Sequence, residues 1–93
     1  MSGDLRDICR ALGHPARRAL LSALAQEQCD VSNLADQVKL SQPTVSKHLA
    51  TLRRAGLVEV RIDGRRRCYS LADAELIRTL LDLLDRLQRV RQS

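Results

Sequence analysis

The segment that most constrains this chain is 40–58, LSQPTVSKHLATLRRAGLV, whose apolar residues recur at helical spacing with polar and basic residues between them. Val45, Leu49 and Leu52 follow one another at steps of four and three residues, so they share one face of a helix. That face can pack inward while the polar side chains point elsewhere. The spacing predicts a helix over 42–55 that presents short polar and basic side chains to a partner.

Residues at both ends support these bounds. Ser41 is a favourable N-cap, because its hydroxyl can accept a hydrogen bond from a free N–H of the first turn. Pro43 falls within that first turn, where a missing N–H is tolerated. Gly56 suits the left-handed residue that commonly follows a helix.

A short helix over 33–38 is predicted just upstream, with Asp30 or Ser32 as its cap. Lys39-Leu40 then provides a tight turn into the 42–55 helix. Two helices joined in this way form a helix-turn-helix, in which the second helix enters the major groove of DNA.

A β-hairpin is predicted after these helices. Residues 57–62 alternate apolar and polar side chains, and Asp63-Gly64 is a strong signal for a two-residue hairpin turn. The arginines 65–67 would then crowd the hairpin tip, where they can reach phosphates or the minor groove. The expected pairs are Ile62 with Arg65, Val60 with Arg67, Glu59 with Cys68 and Val58 with Tyr69.

Helical patterns also occupy both ends of the chain. His14-Pro15 separates two of them, since the residue before a proline disfavours helix. A helix over 74–89, within a dimerisation segment 74–91, is apolar over half its circumference and needs two covering surfaces, one of them from a second subunit. Its apolar residues are Leu76, Ile77, Leu80, Leu81, Leu83, Leu84, Leu87 and Val90. We therefore predict a single domain over 1–93, mainly α with a small hairpin, in the order α-α-α-α-β-β-α.

Positive charge is concentrated around the predicted helix-turn-helix and hairpin. Eight cationic side chains and two carboxylates lie between Lys39 and Arg67, a local net charge of +6 in a chain of net charge +5. A concentrated basic face beside a helix with short polar side chains favours double-stranded DNA as the partner. Tyr69 is the only aromatic residue of the Phe, Trp and Tyr class, so platforms for stacking single-stranded bases are lacking.

Other classes of protein are disfavoured. The chain has no apolar run long enough to span a membrane and no signal-peptide pattern, so we expect a cytoplasmic protein without a membrane partner. Three cysteines, an odd number, favour reduced thiols over a disulfide framework. No nucleophile paired with a base, phosphate-binding loop or carboxylate pair is visible, so we expect neither an enzyme nor a bound cofactor.

The stretches ALGHPARRALLSAL, LSQPTVSKHLATLRRAGLV and DGRRRCYSL, in this order, resemble the ArsR/SmtB family of bacterial winged-helix repressors across nearly the whole chain. The resemblance implies a winged helix-turn-helix homodimer that is joined through its first and last helices. It also implies that the dimer binds an imperfect inverted repeat upstream of its own operon and is released by a chemical signal. The predicted helix over 42–55 is called the reading helix below, and the predicted hairpin is called the wing. The implied DNA-binding residues are Ser41, Gln42, Thr44, Ser46 and Lys47 on the reading helix, Arg65 and Arg66 on the wing, and His48, which is either a phosphate contact or a polar flank.

Metal sites of the family have no counterpart in this sequence. Where metal-sensing members carry a thiolate pair at the start of the third helix, this chain has Asp30 and Ser32. Where members that sense zinc-like ions carry Asp, His, His and Glu on the last helix, the matching residues are Asp73, Glu75, Arg86 and Arg89. Two cations cannot complete such a site, so we expect no metal site of either type.

The cysteines remain as candidate sensors of that signal. Cys68 follows three arginines, which favour a reactive thiolate, and Cys29 precedes the third helix, where winged helices place a strand beside the hairpin. A disulfide or polysulfide bridge between them could shift the wing and weaken DNA binding. Cys9 is expected to be a small buried residue of the first helix. Two alternatives stay open: an arsenite site built from these thiolates, and a winged-helix module that binds proteins instead of DNA.

Overall fold

The structure, a computed structural model, describes residues 4–27 and 29–92, and of Gln92 it describes the backbone alone. Four helices precede an antiparallel hairpin and a long last helix, which confirms the predicted order and the winged helix-turn-helix class. The elements are α1 Leu5–Leu12, α2 Pro15–Ala25, α3 Val31–Val38, α4 Gln42–Arg54, β1 Val58–Asp63, β2 Arg66–Leu71 and α5 Ala74–Gln92.

Side-chain caps fix where the second and third helices begin. His14 is extended and accepts a hydrogen bond from the Ala16 N–H through Nδ1 at 3.1 Å. Asp30 caps α3 by accepting from the Asn33 N–H at 2.8 Å. The predicted start of this helix at residue 33 was therefore wrong by two residues, because Asp30 acts as the cap and the helix begins directly after it.

Helix α4 confirms the helix predicted over 42–55, except at its last residue. Lys39 adopts a left-handed φ of 60° in the turn before it, and the Ser41 hydroxyl accepts from the Thr44 N–H at 3.3 Å. The helix ends at Arg54, one residue earlier than predicted, and Gly56 has a φ of 80°. The residues of its predicted inner face are fully buried, namely Val45, Leu49 and Leu52.

The hairpin forms with a register different from the one predicted. Gly64 and Arg65 form the turn, and β2 is displaced by two residues along β1. Gly64 has a φ of +63° and Arg65 is not among the positive-φ residues, which suits a turn with glycine at its first central position. The displacement places apolar residues opposite one another instead of Val60 opposite Arg67. The observed pairs include Val58 with Leu71, Val60 with Tyr69, Arg61 with Cys68 and Asp63 with Arg66.

The long helix α5 has one covered and one uncovered apolar side. Ile77 is 4% exposed, and Leu81 packs against the core formed by α2, α3, α4 and the hairpin. A second set of large apolar side chains on α5 is exposed in the protomer. These are Leu76, Leu83, Leu87 and Val90, at 63%, 52%, 60% and 71% exposure.

Candidate nucleic-acid interface

The N-terminal half of α4 presents the polar surface that the sequence predicted. Gln42, Ser46 and Lys47 are exposed on the side away from the buried apolar face. Thr44 is half-buried, and its Oγ1 lies 2.9 Å from the Ser41 hydroxyl. Because both hydroxyls are engaged in the N-terminal cap, Ser41 and Thr44 shape the start of the helix, while the other three side chains are free to reach a partner.

The wing carries the predicted arginines at its tip. Arg65 and Arg66 are both exposed. Arg66 lies 3.9 Å from the Asp30 carboxylate, with 72% of its side chain exposed, so this pair restrains the wing only weakly. Asp30 nevertheless connects two parts of the fold, since it also caps α3.

A basic groove of about 400 Å³ lies between α4 and the wing. Arg53, Arg54 and Arg67 line it and were absent from the predicted contacts. Arg53 and Arg54 stand in the last turn of α4, and Arg67 stands on β2. Residues four apart on a helix share a face, so the helical pattern could have indicated the two arginines of α4. The remaining lining residues are Ser46, Ala50 and Tyr69. The exposed polar surface of the reading helix is therefore continuous with the basic groove.

The opposite flank of α4 contacts the start of α2. The rings of His14 and His48 lie 4.6 Å apart at an interplanar angle of 57°. Burial lowers the pKa of His48, and the neighbouring His14 and Arg17 lower it further. A buried nitrogen of the Arg17 guanidinium, Nε, has no hydrogen-bond partner among the described residues.

Two of the three cysteines come together. A hydrogen bond with the Cys68 thiol, and secondly burial, raises the pKa of the Cys29 thiol. The Tyr69 N–H donates to the Cys29 carbonyl at 2.9 Å, so β2 is joined to the segment before α3 by one backbone bond. Both thiols line a pocket of about 300 Å³ with Arg78 of α5.

Cys9 was expected to be buried, and this prediction was wrong for the protomer. Its side chain is exposed and lines an apolar groove of about 310 Å³ between α1 and α5, together with Leu84 and Leu87. Of the apolar neighbours that suggested burial, Leu5 is 73% exposed, whereas Ile8 and Leu12 pack against the core. Cys9 thus lies apart from the pair formed by Cys29 and Cys68.

Residues 14–60, which include α2, α3, α4 and the start of the hairpin, match the model of a family described as bacterial regulatory protein, arsR family. The chain belongs to the arsR family. Its wing and α5 extend beyond the matched residues.

Relatives within the arsR family share both sequence and fold. A transcriptional repressor SmtB homolog from Synechocystis is 41% identical over 91% of this chain and 64% of its own length. The homodimeric winged helix-turn-helix DNA-binding domain of Mb0332 from Mycobacterium bovis superposes with a TM-score of 0.80 at 29% identity, covering 91% of this chain and 78% of that domain. The cadmium metal-sensor CMTR from Mycobacterium tuberculosis gives a TM-score of 0.72 at 40% identity, covering 85% and 82%. This chain thus spans less than two thirds of the SmtB homolog.

The arsR-family positions considered for metals have other partners here. Asp73 accepts a hydrogen bond from the Leu76 N–H at 3.0 Å and so caps α5, and Arg89 pairs with Asp85 at 2.9 Å. Within residues 4–27 and 29–92, no group of three or more His, Cys, Asp or Glu side chains could hold a metal ion. None of the described helices is long and apolar enough to cross a membrane.

Proposed function

We propose that this protein is a sequence-specific regulator of transcription that binds double-stranded DNA as a homodimer in the cytoplasm. The observation that carries the proposal is the continuous surface formed by exposed Gln42, Ser46 and Lys47 and the arginine-lined groove beside the wing. A helix of this kind fits the major groove, and the arginines of the groove beside it can neutralise phosphates. Gln42 can pair with adenine, and Lys47 can contact guanine or a phosphate.

The homodimer is proposed to form through α1 and α5. Leu87, at 60% exposure, lines the apolar groove that contains Cys9, and Leu5 of α1 is 73% exposed. A second copy covers these side chains with the same surface, as an isologous interface requires. The dyad then places two copies of α4 in successive major grooves about 34 Å apart, so the operator is an imperfect inverted repeat.

We further propose that the dimer represses its own operon. The Synechocystis relative is described as a transcriptional repressor, which supports this direction of control. A dimer on an operator upstream of its own gene would block transcription until a signal released it.

Binding is tested by fluorescence anisotropy with the DNA upstream of the protein's gene, over a range of salt concentrations. Lys47→Ala should weaken binding to every duplex if it contacts phosphate, and Gln42→Ala should relax the preference at one base position. Arg89→Ala is the charge-matched control, because Arg89 lies on α5, outside the proposed DNA-binding surface, and sedimentation establishes that this variant remains a dimer. If affinity does not depend on salt, or if both α4 variants bind like the control, the proposal fails and a protein-binding module replaces it.

For the releasing signal we propose oxidation of Cys29 and Cys68 to a disulfide. With hydrogen peroxide as oxidant, Cys68 first forms a sulfenic acid and releases one water. The Cys29 thiolate then attacks that sulfur, releasing a second water as the S–S bond forms. A polysulfide bridge would join the same two sulfurs.

The physical link to DNA binding runs through the neighbours of these thiols. Cys29 accepts the backbone bond from Tyr69, and adjacent Asp30 both caps α3 and pairs with Arg66. A covalent bond between the sulfurs would change the distance between these segments. The wing would consequently move relative to α3 and to the reading helix that α3 supports.

The thiol proposal is tested by repeating the binding assay after mild oxidation and again after reduction. Wild type should lose affinity and recover it, whereas Cys29→Ser and Cys68→Ser should stay bound. Cys9→Ser is the matched control and should respond like wild type, because Cys9 lies in a different groove. Release that needs Cys9, or no release at all, contradicts the proposal. Release by arsenite instead would assign the thiolates to that ligand.

A further inference from the structure

The chain has only two histidines, and the fold brings them into contact from different helices. His14 caps α2, and its Nδ1 accepts the hydrogen bond from the Ala16 N–H. His48 is half-buried on α4, directly after Lys47. His48 is among the DNA-binding residues that the family resemblance implies, whereas His14 and its contact with His48 are not.

Within the described residues, no carboxylate is among the groups that shift the pKa of His48. The charged and titratable groups that act on His48 are His14 and Arg17, both from α2 and its cap. From α1, Asp7 and Arg10 line a groove with Thr51 and Arg54 near the far end of α4. Because the Arg17 backbone N–H donates to the His14 carbonyl at 3.0 Å, Arg17 lies one turn from the pair, and an anion bound there would gain a favourable charge interaction with it.

The position of the pair indicates which anion would bind. A helix in the major groove has a phosphate backbone along each flank. The wing and its arginines occupy the flank of α4 marked by Ser46 and Arg53. His48 lies on the other flank, against the start of α2, so the second backbone would pass His14 and His48.

We propose that His14, Arg17 and His48 form a seat for one backbone phosphate of the DNA duplex, and that the histidine pair takes up a proton when this phosphate binds. The inference rests on the proposed function of α4 as a DNA-binding helix. In the free protein burial lowers the pKa of His48, and the neighbouring His14 and Arg17 lower it further, whereas a phosphate beside the pair would favour the charged imidazole. DNA binding would consequently strengthen as the pH falls.

The test uses a mixed-sequence duplex at constant low ionic strength, because a phosphate contact does not depend on base sequence. Uptake of one proton allows affinity to rise by up to about tenfold per pH unit, and we expect roughly a tenfold gain between pH 8 and pH 6. His48→Gln should remove this gain. Lys47→Ala is the control, since it should weaken binding at each pH and leave the gain intact.

His14→Asn separates proton uptake from helix capping, because asparagine caps a helix well but does not titrate. It should reduce the pH dependence while the thermal unfolding of the protein at pH 8 stays close to that of wild type. NMR titration of the two histidine rings gives an independent readout, in which duplex DNA should raise the pKa of His48. The same thermal measurement on His48→Gln shows whether that variant is folded.

Three results would overturn the inference. One is affinity that falls or stays constant on acidification, and another is a gain that persists in folded His48→Gln. The third is histidine signals that titrate alike with and without DNA. Absence of binding to any duplex at every pH would instead refute the proposed function, and the phosphate seat with it.

Discussion

Truncating Leu87 to alanine should dissociate the proposed dimer without unfolding the protomer. Leu87 is 60% exposed, so most of its side chain remains to be covered by a second copy. The substitution removes three carbon atoms, each stabilising by about 0.8 kcal/mol when fully buried. Scaled by the exposed fraction and counted once in each protomer, the loss is about 3 kcal/mol, a roughly 100-fold weaker dimer.

Sedimentation equilibrium over a range of protein concentrations measures this change directly. Asp82→Ala is the matched control, because Asp82 is an exposed polar residue of the same helix. Circular dichroism on each variant establishes that the helices are retained. A dimer constant for Leu87→Ala equal to that of the control would refute the assignment of this face as the interface.

The other predictions concern stability. The pKa of His48 is lowered by burial, His14 and Arg17, so the unfolded chain binds more protons than the folded chain. The thermal midpoint should therefore fall as the pH drops below about 6.5, and His48→Gln should flatten that dependence. Gly64→Ala should cost about 1 kcal/mol in urea unfolding from its φ of +63° alone, since nothing lies within 4 Å of the added carbon; Gly64→Asn should cost less. Asp30→Ala should cost about 1 kcal/mol through loss of the α3 cap, and an unchanged unfolding midpoint would contradict that role.

The reading helix was predictable because its information is local. Spacing of Val45, Leu49 and Leu52 defines the inner face, and Ser41 and Gly56 mark the ends within a residue. The hairpin was predictable as an element but not in register, because a displacement by two residues keeps every side chain on the same face. The two registers differ in whether Val60 pairs with Tyr69 or with Arg67, and the packing of the whole fold decides between them.

Features that join distant segments were less accessible from sequence. The contact of His14 with His48 depends on how α2 packs against α4, and the spacing of apolar residues in the sequence carries no information about that packing. The proximity of Cys29 and Cys68 was inferred from the strand that winged helices place before the third helix, and the pocket that both residues line agrees with it. Cys9 shows the opposite case, since an apolar pattern marks a surface that only a second molecule would bury.

Tyr69 gives this protein a natural optical reporter. The chain has no tryptophan and no other tyrosine, so its intrinsic ultraviolet emission arises from this one ring. Tyr69 lines the arginine groove beside α4 and also the pocket that contains both Cys29 and Cys68. Unlabelled protein could therefore signal occupancy of the groove and modification of the thiols through one chromophore, in real time and without an attached dye.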